Sequence, residues 1–202
     1  MQGRTYFDFL RLASLFGSAM PDLRDKIWLT AHTRMISEAR LTKNARLWNL
    51  LIVWYSTSLA CLTTYQLVAD ESTTRNILSA ILAIGVLSLS IYIPTLQFEQ
   101  KAALYRSCYL RLQRLLDLGM KEIDLATQYH DVLENFPNHS NRDWNKLLVN
   151  SHCSGRALQD GETNIPVPKM MIFGNFLIQT RDVILWLTAF AMPAILSYFL
   201  LF

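Results

Sequence analysis

A polar stretch near the middle of the chain, YHDVLENFPNHSNRDW at residues 129–144, carries the residue types that most often do chemistry. It also contains an Asn-x-Ser triplet. Its ionisable members include His130, Asp131, Glu134, His139 and Asp143. Such a set could hold a metal ion, form an acid–base pair, carry a glycan or simply stop a helix. The choice depends on the side of a membrane on which the stretch lies.

Neither a metal site nor a catalytic site has the spacing that its chemistry needs. Zinc could use His139, Asp143, His152 and Cys153, but their spacing matches no standard zinc arrangement. His152 and Cys153 are adjacent in the chain, and adjacent residues usually cannot be oriented as base and nucleophile. The sequence has no Gly-rich phosphate loop and no GxSxG, HExxH or CxxC motif. It therefore predicts no enzyme, no metal and no cofactor.

Long uncharged segments at residues 47–69, 76–98 and 183–202 dominate a sequence that is 51% hydrophobic and 17% charged. About 20 predominantly apolar helical residues cross a hydrocarbon core of about 30 Å. The first two segments predict a transmembrane hairpin with spans at about 47–68 and 76–97. For the C-terminal helix at 181–202 we favour a third span over a tail anchor or a helix packed on the hairpin. Pro193 is tolerated there if a neighbouring helix pairs the freed carbonyl.

Positive charge flanks the hairpin unevenly. Lysines and arginines precede the first span and follow the second, whereas the connection between the spans has only Arg75, set against Asp70 and Glu71. The positive-inside rule therefore places both ends of the hairpin, and residues 99–182, in the cytoplasm. The net charge of +3 needs no nucleic acid to explain it, because juxtamembrane lysines and arginines account for it.

Amphipathic patterns predict helices that extend both spans into the cytoplasm, over about 22–46 and 98–136. These helices and the spans form one predicted domain at 21–150. The first 20 residues read as a separate amphipathic segment without the pattern of a signal peptide. Residues 151–180 are predicted to be a cytoplasmic loop. The fold class is thus an all-α membrane protein, a transmembrane helical hairpin extended by long cytoplasmic helices, with a C-terminal apolar helix.

Small residues recur every four positions inside the first span, at Ser56, Ala60 and Thr64. This spacing lets helices approach closely in lipid, so the face is our candidate for transmembrane packing. No charged residue or histidine lies in mid-membrane, so a proton relay is not indicated. Any pore would be lined by polar side chains such as Thr57 and Thr63, or it would be hydrophobic.

The order of these segments resembles a known family. A tract like KIWLTAHTRMISEARL leads into two close spans, a helix like ALYRSCYLRLQRLL follows, and YHDVLENFPNHSNRDW ends the unit. This order is similar to that of the SLATT domains, two-span bacterial membrane modules associated with nucleotide-signalling and reverse-transcriptase immune systems. The resemblance covers roughly residues 20–150 and leaves open whether the C-terminal run is a subgroup addition. The positions that carry it are Trp28, Thr30, Arg34 and Leu41 in the first helix, and Tyr129, Leu133, Pro137, Asn138, His139, Ser140 and Asp143 at the end.

The resemblance implies an effector of bacterial anti-phage defence, multi-pass in the inner membrane, with its N-terminus and main helical body in the cytoplasm. Its implied partners are the lipid bilayer, further copies of the chain and a sensor. The sensor is either a retron-type reverse transcriptase with its non-coding RNA or a cyclic-nucleotide system with its nucleotidyltransferase. Once triggered or released, such an effector oligomerises and perturbs the membrane, by a pore in our interpretation, causing abortive infection. The alternatives are a membrane anchor or scaffold that localises a cytoplasmic complex, and a small channel; direct nucleic-acid binding is not indicated.

In the cytoplasm the polar stretch is best explained as a corner between two helices. This location excludes glycosylation at Asn138. Pro137 ends the preceding helix, and Ser140 or Asn141 caps a short helix with Asp143 near its positive end. A docking or trigger role is the alternative. The residues of this structural or trigger corner are Tyr129, Pro137, Asn138, His139, Ser140 and Asp143.

Overall fold

A computed structural model describes residues 23–68, 73–118, 121–155, 158–160 and 163–201. The predicted amphipathic segment at residues 1–20 lies outside these ranges. Within them the chain forms six α-helices and one hairpin of two-residue strands, so the predicted all-α membrane fold is confirmed. The elements are α1 (Leu23–Gln66), α2 (Thr73–Thr95), α3 (Phe98–Asp117), α4 (Glu122–Glu134), α5 (Asn141–Cys153), β1 (Gln159–Asp160), β2 (Thr163–Asn164) and α6 (Lys169–Leu201).

Helix α1 runs without interruption for 44 residues, a length of about 66 Å. It contains no proline or glycine, the two residues that most often break or kink a helix. Its first half is polar on several faces and packs against α3, α4 and α5, whereas its second half is mostly apolar. One rigid element therefore joins the cytoplasmic part of the predicted topology to the first membrane span.

Helices α1, α2 and α6 each contain a stretch that is long and apolar enough to cross a membrane, by length and composition. These stretches are largely exposed within the chain, as expected for surfaces that contact lipid or other helices. The C-terminal run is thus a third candidate span, as the sequence analysis favours. Helix α6 lies beside α1, with the Trp48 and Trp186 rings 5.1 Å apart and the Trp54 indole donating to the Phe190 carbonyl at 3.0 Å.

The proline in α6 is accommodated by a neighbouring helix, as the sequence analysis expects. Pro193 has no N–H, so the carbonyl of Ala189, four residues earlier, lacks its helical donor. The hydroxyl of Tyr55 on α1 donates to this carbonyl at 3.0 Å. The hydrogen bond satisfies a backbone oxygen that lipid could not satisfy, and it ties α6 to α1.

The helical conformation is interrupted between α2 and α3. Gln97 has left-handed backbone angles, φ 53° and ψ 37°, which a residue with a Cβ rarely adopts. Pro94 lies three residues earlier, and its carbonyl accepts from the Gln97 N–H at 3.1 Å. A left-handed residue therefore separates α3 from α2, whereas α1 runs on without interruption.

The predicted helix at 98–136 is two helices, because α3 ends at Asp117 and α4 begins at Glu122. Helix α4 packs back on α3 and α1 and completes a small apolar core. Its buried members come from all three helices: Ile27, Ala31, Cys108, Leu112, Leu115, Leu125 and Val132. We call residues 23–46 and 98–155 the body.

The C-terminal helix begins at Lys169, twelve residues before its predicted start at 181. Residues 169–180, which the sequence analysis places in a cytoplasmic loop, are therefore helical. Pro166 and Pro168 precede the helix, and the Pro168 carbonyl accepts from the Met171 N–H at 2.9 Å. The charges at Arg181 and Asp182 mark an edge of apolar sequence, not the start of the helix.

Candidate functional site

The corner between α4 and α5 is built by local turn chemistry. Ser140 has extended backbone angles and caps α5, its hydroxyl accepting from the Asp143 N–H at 3.3 Å. The Tyr105 hydroxyl on α3 donates to the Asn138 carbonyl at 2.9 Å and so fixes the corner to the body. The sequence analysis anticipates a cap at Ser140 or Asn141, and Ser140 is the residue that provides it. These hydrogen bonds join the corner to the start of α5 and to α3.

Asp143 connects this corner to α1. Its side chain is fully buried and accepts from the Ser37 hydroxyl at 2.7 Å and the Ser140 hydroxyl at 2.8 Å. Arg40 approaches it with two parallel donors, Nε to Oδ1 at 2.8 Å and Nη2 to Oδ2 at 2.9 Å. A bidentate arginine–carboxylate pair of this kind fixes orientation as well as distance. We call Ser37, Arg40, Ser140 and Asp143 the polar joint.

The charge of Asp143 is maintained in this buried place by its hydrogen bonds. Burial alone would raise the pKa of the carboxyl group, but the donors from Arg40, Ser37 and Ser140 outweigh it and hold the pKa below its ordinary value. Because folding lowers this pKa, the joint stabilises the fold at pH values above about 4. That contribution is lost as the pH falls through the lowered value.

A second buried cation lies next to the joint. Arg34 is fully buried, and its Nη1 donates to the Cys108 sulfur on α3. Within the described part of the chain, the Nε and Nη2 atoms of Arg34 and the Nδ1 atom of His139 are buried without a hydrogen-bond partner. Burial and the charge of Arg34 lower the pKa of His139, against the opposing effect of Asp143. The neutral imidazole is therefore favoured beside the arginine.

Other residues singled out in the sequence lie around the joint. Thr30 and Tyr129 share a hydrogen bond of 3.0 Å between their hydroxyl oxygens, which fastens α4 to α1. Trp28 is 40% exposed and stacks on His32, with ring centroids 3.7 Å apart, so it points away from the joint. The structure thus brings Arg34, His139, Ser140 and Asp143 into one region, but not Trp28.

Sequence reasoning missed Ser37 and Arg40 as partners of Asp143. A signal for them existed, because Arg34, Ser37 and Arg40 recur every three residues and so share one side of α1. It also missed Tyr105 and Cys108, which look like ordinary members of the apolar side of α3. Tyr105 contributes its hydroxyl and Cys108 its sulfur to the polar region.

The corner also reaches the third membrane helix. Arg142, next to Asp143 in sequence, donates to the carboxylate of Asp182 on α6, and Arg181 approaches the same carboxylate at 3.2 Å. Neighbouring residues of α5 therefore contact two different membrane helices, α1 through Asp143 and α6 through Arg142. A change in the position of α5 would act on both.

The metal alternative can be compared with the described residues. No group of three His, Cys, Asp or Glu side chains lies close enough there to hold a metal ion, so His139, Asp143, His152 and Cys153 are not brought together. Two cavities of about 20 Å³ and 10 Å³ lie between the membrane helices, lined by residues such as Tyr55 and Val86. The side chains of the polar joint make their hydrogen bonds to one another, between α1 and the start of α5.

The small-residue face of α1 points away from the other described helices. Ser56, Ala60 and Thr64 are all exposed, and the Thr64 hydroxyl donates to the Ala60 carbonyl at 2.9 Å. Thr57 and Thr63 are exposed as well and bond in the same way to carbonyls one turn earlier. Hydroxyls satisfied by their own helix can face lipid or a second helix without a desolvation penalty.

A comparison with family models gives one match over residues 18–199, to the SMODS and SLOG-associating 2TM effector domain, family 5. The chain belongs to this SLATT family. The match corrects the sequence analysis in one respect: it extends beyond residue 150 and includes nearly all of α6, so the C-terminal helix lies within the family region. Searches of curated proteins and of solved structures find no match to the SLATT protein described here.

Proposed function

We propose that this SLATT protein is an effector of bacterial anti-phage defence that perturbs the inner membrane when a partner sensor triggers or releases it. In this proposal the body lies in the cytoplasm, several copies assemble through their membrane helices, and the assembly forms a pore. The sensor is a retron-type reverse transcriptase with its non-coding RNA or a cyclic-nucleotide system. Loss of membrane integrity then stops growth of the infected cell.

The observation that carries the proposal is the continuity of α1. This one helix contains the polar joint at Ser37 and Arg40, and about 35 Å further along it contains the exposed small-residue face around Ala60. A signal that shifts α5 or the corner would be transmitted along a rigid helix to a surface suited to assembly in lipid. Family membership supports the effector role, and the positive-inside rule supports the cytoplasmic position of the body.

The buried charges near the corner support a role in switching. Arg40 and Asp143 satisfy each other, whereas Arg34 has no carboxylate partner among the described residues. The energy of a buried cation depends strongly on nearby charges, so a partner that brings an anion to the corner or moves α5 would act on Arg34. This sensitivity makes the corner a suitable place for a sensor to act.

The test is to induce the chain in bacterial cells with and without the neighbouring sensor genes while membrane potential is followed with a voltage-sensitive dye. We expect the potential to be preserved when the intact sensor is present and to collapse when the sensor is removed or activated. The matched control is the Ala60→Leu variant at equal membrane abundance, which should collapse the potential less. An intact potential under every condition, with the partner mislocalised when the chain is absent, would contradict the proposal and favour a scaffold. Conductance that ignores the sensor would favour a housekeeping channel.

A further inference from the structure

Helix α6 is longer than a membrane is thick. Its 33 residues measure about 50 Å, compared with a hydrocarbon core of about 30 Å. Charged side chains are costly in hydrocarbon, so in the proposed topology Arg181, which is 64% exposed, and Asp182, which pairs with Arg142 of the body, lie at the membrane surface. From Asp182 to Leu201 the helix covers about 30 Å, the full hydrocarbon thickness. Residues 169–180, which we call the arm, therefore lie outside the hydrocarbon on the side of the body.

One side of α6 packs against other helices of the same chain. In the arm this side includes Asn175, which is buried. Further along, Asp182 contacts Arg142, Trp186 contacts Trp48, and Pro193 is buried beside Tyr55. These residues follow helical spacing, so a single inward side runs along the arm and the span. The rotation of the helix is thereby fixed.

The opposite side carries a continuous stripe of large apolar residues. In the arm, Met170, Phe173, Phe176 and Leu177 are between 50% and 85% exposed. The stripe continues into the span at Ile184 and Leu187. We call these six residues the outer stripe. Lipid can cover the part in the span, but the four arm residues lie where lipid tails do not reach.

We propose that the outer stripe is a contact between two copies of this chain, with α6 packed against α6. Copies inserted in the same direction place their stripes at the same depth, so one partner helix can cover both the arm and the span. Such a contact is self-complementary about a two-fold axis, and the stripe contains no charged residue that would be opposed by its own copy. All six side chains are large and at least half exposed, so pairing along the stripe buries a substantial part of the roughly 800 Å² per partner of a standard interface.

This inference rests on the assembly step of the proposed function and names a surface for it. The N-terminal segment of the same chain is a competing occupant for the arm, since it is predicted to be amphipathic. A segment confined to the cytoplasm could cover Phe173 and Leu177 but not Ile184 and Leu187. The second copy is favoured because copies inserted in the same direction present Phe173 and Leu177 at the same depth, and the stripe has no charged residue that would face its own copy.

The experiment is disulfide cross-linking of the full chain in isolated membranes, with Cys61→Ser and Cys153→Ser removing the exposed native thiols and the buried Cys108 retained. Phe173→Cys and Leu177→Cys are each compared with Gln179→Cys, an exposed arm position on a different side of the helix. At equal membrane abundance we expect a several-fold higher yield of covalent dimer for both stripe variants. Equal yields at all three positions would overturn the inference.

A second pair of variants tests whether the N-terminal segment, instead of a second copy, covers the outer stripe. If Phe7→Cys joins Phe173→Cys within one chain in preference to a dimer, the N-terminal segment covers the stripe and the inference is wrong. Membrane potential is followed in the same cells. Collapse of the potential without stripe cross-links overturns the α6 contact but leaves the effector role standing. Cross-links without collapse support the contact and contradict the effector role.

Discussion

Asp143 is the residue on which the corner depends, because it is fully buried and bonds to two side chains of α1 and to its own helix cap. A buried carboxylate is tolerated only if its charge is paired and its oxygens are hydrogen-bonded, and here both conditions hold. Removing the charge would leave Arg40 without its carboxylate while Arg34 already lacks one. The corner would then lose its main attachment to the first membrane helix.

We predict that Asp143→Asn lowers the free energy of unfolding by about 3 kcal/mol, the lower part of the range for breaking a buried ion pair, since Arg40 is partly exposed. Chemical unfolding in detergent at neutral pH would measure it. Asp131→Asn, an exposed carboxylate on α4, is the matched control and should change stability by less than about 0.5 kcal/mol. Indistinguishable unfolding curves for the two variants would contradict the joint.

His139 should make the stability of the body sensitive to mild acid. Folding lowers its pKa, so the unfolded chain binds the proton more readily than the folded chain. Stability should therefore fall as the pH drops below about 6.5, the ordinary pKa of histidine. The groups that face His139 are Arg34, which strengthens this effect, and Asp143, which opposes it. Melting temperatures between about pH 5 and about pH 8 would show the decline, and His139→Ala should reduce it.

The same variant separates a structural corner from a trigger. If His139 is structural, His139→Ala should lower the melting temperature at neutral pH. If it is a trigger, the variant should fold with unchanged stability and fail to respond to the sensor. The burial of its Nδ1 atom and its tilted contact with Trp144, at 6.2 Å between ring centroids, favour the structural outcome.

Among the elements, α1 and α6 form the pair that links the body to the membrane. They are held together by the contact of the Trp48 and Trp186 rings and, further along α1, by the hydrogen bond from Tyr55 to the Ala189 carbonyl. Pro193 makes that hydrogen bond necessary, because it removes the helical donor of the same carbonyl. The proline that removes the donor and the tyrosine that replaces it are thus on different helices.

A double-mutant cycle tests this compensation. Tyr55→Phe should destabilise the contact of α6 with α1 by about 1 kcal/mol, within the range measured for hydrogen bonds between membrane helices. In a Pro193→Ala background the new N–H pairs the Ala189 carbonyl, so Tyr55→Phe should cost little. Unfolding in detergent gives the four stabilities. Equal costs in the two backgrounds would show that the tyrosine acts without reference to the proline.

The small-residue face makes a separate prediction about assembly. Ala60→Leu should weaken assembly and any toxicity, because a bulky side chain keeps neighbouring helices apart. Ala83→Leu, at an exposed position in the span of α2, is the control for a general effect of bulk in the membrane. Oligomer size in detergent and growth after induction are the measurements. Unchanged oligomers and full toxicity in the Ala60 variant would remove this face from the account.

The sequence predicts the helices better than it predicts the connections and contacts between them. Uncharged runs locate the membrane helices, and the Pro137–Ser140 pattern locates the corner, because both depend on local chemistry. The break at Gln97 could not be predicted, since a left-handed glutamine has no sequence signature. The charges at Arg181 and Asp182 predict a boundary at residue 181, but a helix can continue through charged residues, and α6 begins at Lys169. The partners of Asp143 come from a helix more than 100 residues away, so only the folded chain reveals them.

As a whole molecule, the protein is a cytoplasmic body joined to three membrane helices in the proposed topology. The body contacts α1 through Asp143 and α6 through Arg142, so one short helix, α5, is connected to both. Two surfaces remain available for further copies, the small-residue face of α1 and the outer stripe of α6. In the proposed function, the protein would wait in the membrane as separate chains and assemble when its body is altered.

The most direct test of the effector role is membrane potential in bacterial cells that carry the chain under an inducible promoter, with the sensor genes present or deleted. We predict that the potential holds while the intact sensor is inactive and collapses within the induction period once the sensor is deleted or activated, less completely in the Ala60→Leu variant. A potential that stays intact both after deletion and after activation of the sensor, at a membrane abundance equal to that of the protected strain, would contradict the effector role.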